Sequence, residues 1–128
     1  MDIILTYIIA LIIFLVIDFF WLRFIAKKLY DNMIGFILKE NFNLTAALVF
    51  YIFYIAALVF FVIEPAARWQ SALFPGLFFG LVTYGTYDMT NLATLKNWPV
   101  KLTVIDIVWG SFLCGITSLL TFVIINLI

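Results

Sequence analysis

Long apolar runs alternate with short polar breaks along this chain. Ile3 to Leu22 carries one charge, Asp18; Leu44 to Ile63 carries none; Ser71 to Leu95 carries Asp88; Leu102 to Ile128 carries Asp106. A helix needs about 20 mostly apolar residues to cross a bilayer. Each run is too long for a membrane strand and lacks its period-two alternation. The pattern therefore predicts one all-α domain over residues 1–128, a polytopic membrane protein of four transmembrane helices. Their expected spans are about 3–26, 44–63, 71–95 and 101–127.

The breaks have local causes. Glu64-Pro65 ends the second run, because a residue before proline avoids the α region. Pro75 falls in the first turns of the third, where a missing N–H costs least. Asn97-Trp98-Pro99 separates the third and fourth runs, and Trp98 is expected among interfacial aromatics. The connection from Ala26 to Asn43 is too long for a turn. Leu29, Met33, Phe36 and Ile37 recur there at helical spacing among Lys27, Lys28, Asp31 and Lys39, which reads as a short helix lying in the interface. The first run has no basic lead and no small-residue cleavage site, so it reads as a retained helix.

Composition agrees. Apolar residues make up 67% and charged residues 11%, against about 45–50% and 25% in soluble domains. The net charge of zero gives nucleic-acid binding no support. One cysteine, Cys114, excludes an internal disulfide and reads as a packing residue. The absence of histidine removes the commonest general base and metal ligand.

The lysines and arginines set an orientation. The first and third connections hold Arg23, Lys27, Lys28, Lys39, Lys96 and Lys101; the second holds only Arg68. The positive-inside rule then places the first and third connections in the cytoplasm and both termini outside.

In that frame Asp18 and Asp88 each lie roughly 12 Å, and Asp106 roughly 8 Å, from the cytoplasmic end of their helices, at 1.5 Å per residue. A carboxylate in mid-bilayer costs about 3 kcal/mol or more, and such residues face a bundle interior or a wet cavity. Tyr84, Asp88 and Asn91 share one helix face, with Thr83, Tyr87, Thr90 and Thr94 in a second row, together read as the wall of a polar interior. Trp21 follows Asp18 by three residues, as Trp109 follows Asp106. The candidate ligand-binding or proton-linked residues are thus Asp18, Trp21, Tyr84, Tyr87, Asp88, Asn91, Asp106 and Trp109. Tyr51 and Tyr54 read as packing or lipid contacts, and Gly76, Gly80, Gly85, Gly110 and Gly115 as close-packing sites.

Three carboxylates without a basic partner need compensation. A proton, a divalent cation held by Asp18, Asp88 and Asp106 (Mg²⁺, Ca²⁺ or Mn²⁺), or a network of neutral donors would each supply it. No resident cofactor is expected beyond that metal option. The partners are the bilayer, a small-molecule or lipid ligand, and a second copy that would widen a narrow interior. Binding or transport, a membrane enzyme working through the aspartates, and a structural role all remain open.

The run Tyr84-Gly85-Thr86-Tyr87-Asp88-Met89-Thr90-Asn91-Leu92-Ala93-Thr94-Leu95, followed by Trp98-Pro99, resembles the signature of domain-of-unknown-function family 2177, small bacterial membrane proteins. Asp18-x-x-Trp21-Leu22 and Asp106-x-x-Trp109-Gly110 resemble its other landmarks. The resemblance implies a four-helix membrane protein of bacterial origin, hence of the inner membrane, and carries no activity or substrate.

Overall fold

A computed structural model describes residues 2–38 and 43–128. The described residues form four long helices and no strand. The first is continuous from Ile3 to Ile37. It is α-helical over Ile3–Trp21, π-helical over Leu22–Ala26, α-helical again over Lys27–Ile34, and ends in a 3-10 turn, Gly35–Ile37. The second spans Leu44–Leu58 and closes in a π-helical turn, Val59–Ile63. The third spans Trp69–Thr94 and the fourth Val100–Leu127.

The ends are set locally. Asp2 accepts a hydrogen bond from the Ile4 amide at 3.0 Å, and Asn43 one from the Ala46 amide at 3.0 Å, each tying down an otherwise orphaned donor. Asn97 turns the chain at φ 62°, a left-handed conformation that asparagine tolerates better than most residues. Pro99 then caps the fourth helix in extended geometry. The third helix begins two residues before its expected start, so Pro75 lies in its second turn and the helix continues through it.

Three of these helices, Ile3–Ile37, Leu44–Ile63 and Val100–Leu127, are long and apolar enough to cross a membrane. Trp69–Thr94 is long enough but falls short in apolarity. Its polar run, Thr83 to Thr94, is the cause. That helix instead pairs with the fourth over most of its length.

Small residues make the pairing possible. A Cβ built on Gly80 would lie 2.2 Å from the Gly110 carbonyl oxygen, and one on Gly76 2.9 Å from the Cys114 oxygen. With no side chain in the way the two backbones touch, and the Ser111 hydroxyl donates to the Leu77 carbonyl at 2.8 Å. The first helix packs on the fourth. The second meets the third mainly through its last turn, Val59–Ile63.

The segment after residue 26 differs from its expectation. It is helical but is an extension of the first helix, not a separate interfacial element. Leu29 and Met33 pack, with Tyr30 and Ile34, around Trp98 and Leu102 at the ends of the third and fourth helices. Phe36 and Ile37 stay exposed. Lys39 lies outside the described residues. Trp98, expected at the interface, is buried and donates from Nε1 to the Thr103 hydroxyl at 3.0 Å.

The buried row of the first helix explains the π turn. Thr6, Ala10, Phe14 and Asp18 recur every fourth residue, and Ala26 and Ile34 continue the count. An α-helix has 3.6 residues per turn, so a period-four row drifts around it. The wider π turn absorbs part of that drift and keeps the row on the bundle.

Replacing Gly80 by Val should cost about 1–3 kcal/mol, because its branched side chain has no space against backbone. Gly85 does not pack closely as expected, since an added carbon there meets nothing within 4 Å, so Gly85→Ala should be tolerated. Thermal unfolding of the two variants in detergent checks the contrast.

Candidate functional site

The three aspartates are all buried, and each meets a different environment. Asp18 accepts from two neutral donors on two other helices: Tyr51 Oη at 3.1 Å and Trp109 Nε1 at 3.2 Å. Asp106 accepts from Tyr30 Oη at 2.6 Å. Asp88 is 1% exposed. It lies against Asp106, and neither of its oxygens meets a hydrogen-bond donor. A buried polar group without a partner carries a desolvation cost of about 1–3 kcal/mol, and more when charged. Asp88 is therefore the outlier of the three.

Of the two tryptophans expected beside the carboxylates, one bonds an aspartate, and that aspartate is on the other helix. Trp21 and Trp109 stack with centroids 4.4 Å apart and planes within 7°. Trp109 then serves Asp18 on the first helix, not Asp106 one turn away on its own. The Trp21 indole nitrogen has no partner; Asp106 is served instead by Tyr30.

On the third helix, Asp88 is buried, with Tyr84 and Asn91 half-buried on the same face. The Tyr84 ring lies over Gly110, where a Cβ would come within 2.1 Å of it. The second polar row is a correction. Thr83 turns inward, but Tyr87, Thr90 and Thr94 are exposed. Thr86 and Thr94 satisfy themselves by donating to carbonyls four residues back, at 2.7 and 2.8 Å. A helical threonine can hide its hydroxyl this way, so the row does not have to line an interior. Tyr87 contacts Trp98 edge-on.

Tyr51 and Tyr54 pack in the core as read, and each also makes a polar contact that the reading did not include. Tyr51 braces Asp18. Tyr54 is buried, with its hydroxyl 2.7 Å from Thr83 Oγ1 and 3.0 Å from Cys114 Sγ. Tyr30 was not a candidate at all. On an uninterrupted α-helix the face of Asp18 leads to Leu29; the π turn between them carries Tyr30 there. Nothing in the residue pattern marks that turn.

The metal option finds no geometry. Among the described residues no group of three acidic, cysteine or histidine side chains is placed to hold an ion. Asp18 is engaged by Tyr51 and Trp109, apart from the Asp88–Asp106 pair.

These features define an all-α membrane protein whose helices meet around buried carboxyls braced by tyrosine and tryptophan. The chain belongs to the family described as "Predicted membrane protein (DUF2177)", which it matches over residues 3–123. No curated protein and no solved structure matches it significantly.

Removing the donor of Asp106 should matter more than removing one of two donors of Asp18. Tyr30→Phe is expected to cost about 1–3 kcal/mol, and Tyr51→Phe less, since Trp109 remains. Midpoints of thermal unfolding compared across the two variants check the order; a larger loss in Tyr51→Phe contradicts it.

Proposed function

We propose that this protein binds, and moves across the membrane, a small molecule or cation in exchange for a proton at the Asp88–Asp106 pair. The observation that carries this reading is Asp88: 1% exposed, against a second carboxyl, with no donor to either oxygen. Two adjacent carboxylates inside a bilayer repel each other, and among the described residues neither is paired with a lysine or arginine. A proton, or the charge of a bound cation, supplies the missing compensation. A group that alternates between the two is the simplest element of proton-linked exchange.

Asp18 has a different role in this reading. Its two neutral donors come from the second and fourth helices, so it fastens three helices together. Interhelical polar bonds of this kind average about 0.6 kcal/mol. This is the part of the polar layer that favours a structural role.

Reconstituted vesicles test the assignment. When candidate inorganic and quaternary organic cations are added in turn outside acid-loaded vesicles, wild-type protein should release protons faster than protein-free vesicles for at least one of them, read by an internal pH dye. Asp88→Asn should return the rate to the protein-free level, whereas Asp18→Asn should lose stability first. Equal rates in wild type and Asp88→Asn would sink the proposal.

The orientation belongs to the same reading. In a bacterial inner membrane, six basic residues in the first and third connections against Arg68 alone in the second support termini on the outer side. With buried Cys114 replaced by Ala, a cysteine at position 68 should react with a membrane-impermeant maleimide added outside intact cells, and one at position 27 should not. The reverse pattern would invert the topology.

A further inference from the structure

The second helix is packed over only part of its length. From Leu44 to Phe53 no residue is buried, whereas Tyr54, Ile55, Leu58, Val59, Val62 and Ile63 all are. Its backbone approaches the third helix chiefly at Val59–Ile63. The two helices therefore diverge from their connection and leave a cleft of about 580 Å³ between them. That volume lies within the range of about 300–1,000 Å³ typical of small-molecule sites.

The lining is specific in chemistry. Phe50, Tyr51 and Tyr54 stand on one wall, Tyr84 and Tyr87 on the other, and Asp106 contributes a carboxyl. Phe50 and Tyr87 are largely exposed at the rim, so the cleft opens sideways, at the surface that faces lipid. Tyr54 and Tyr84 meet edge-to-face at 6.3 Å further in. Aromatic faces attract cations, more strongly where water is excluded, and a carboxyl among five such rings offers a cation its counter-charge. Asp88, which no donor reaches, lies directly behind that carboxyl. An anion would meet two carboxyls there and no basic side chain.

We infer that this cleft is the binding site of a lipophilic monocation, of the amine type, that enters from the lipid between the second and third helices and places its charge on Asp106. The inference rests on the exchange proposed at the Asp88–Asp106 pair, and it specifies what the proton is exchanged for. The apolar body of the ligand would occupy the aromatic walls. Tyr51 lines this cleft and also holds Asp18, so its bond to the first helix fixes the width of the opening.

The test uses two ions of one shape and opposite charge, tetraphenylphosphonium and tetraphenylborate. Their binding to the full chain in phosphatidylcholine nanodiscs is measured by equilibrium dialysis, with protein-free discs subtracted. Tetraphenylphosphonium should bind saturably and tetraphenylborate should not. Asp106→Asn should weaken the cation by about tenfold or more. Because that change also disturbs the Tyr30 bond, Thr86→Trp provides a second variant. Thr86 lines the cleft and is exposed, with its hydroxyl bonded only to its own helix, so a large ring there fills the space while both carboxyls and the Tyr30 donor are kept; it should also abolish saturable binding. Non-saturable or charge-blind binding, or binding that survives Thr86→Trp, overturns the inference. Vesicles made from the same protein separate the two ideas. Proton flux that depends on Asp88, without cation binding, leaves the exchange reading standing and removes the cleft. Saturable cation binding lost in Thr86→Trp, with flux indifferent to Asp88, does the opposite.

Discussion

A carboxyl inside a bilayer must be compensated from within the protein, because lipid offers no donor. This chain carries three such groups, with no lysine or arginine in the apolar runs that hold them. For Asp18 and Asp106 compensation comes from neutral O–H and N–H groups on other helices, and each donor fixes a helix–helix relation. Tyr51 and Trp109 join the second and fourth helices to the first at Asp18, and Tyr30 joins the first helix to the fourth at Asp106. The architecture can be described as what is needed to bring three donors to two acids.

The glycine contacts and the polar centre are linked. Gly76 and Gly80 let the third and fourth helices touch, which brings Asp88 against Asp106 further along the same pair. Bulkier residues would push the helices apart. Gly110 plays the matching part for Tyr84, whose ring occupies the space a side chain would take. Close packing here produces a position, namely two acids held together where only one is given a donor. The second helix shows the opposite condition. Its first half, Leu44 to Phe53, has no buried residue and so has little packing to lose if the bundle changes shape.

Much of this was legible in the chain. Four helices, their approximate ends, the membrane as solvent, and the aspartates as the exceptional residues all follow from period, length and the cost of charge in hydrocarbon. The small-residue contacts were legible too, since Gly76-x-x-x-Gly80 has few other uses in an apolar helix. The third helix shows the limit of that reading. Taken alone it is too polar to qualify as a span. Its threonines hide their hydroxyls against their own backbone and the fourth helix covers one side, which a count of polar residues does not register.

What tertiary structure alone decided is which donor meets which acid. Tyrosine reads alike in sequence whether it touches lipid, another ring or a carboxylate, so Tyr30 and Tyr51 could not be told from the other tyrosines. The π turn at Leu22–Ala26 adds to the difficulty, since one extra residue per turn moves Tyr30 onto the buried face with no mark in the residue types. The paired Asp-x-x-Trp segments invited the expectation that each indole attends its own acid, one turn away. On a helix, however, an indole one turn on faces a neighbour as readily as its own carboxylate, and here stacking with Trp21 directs Trp109 to Asp18. Sequence determined that the chain would be helical and apolar with three aspartates set into its long runs, because hydrophobicity and helical period are local properties. The unsatisfied state of Asp88 was decided only by the fold, because it depends on the directions of side chains from every other helix.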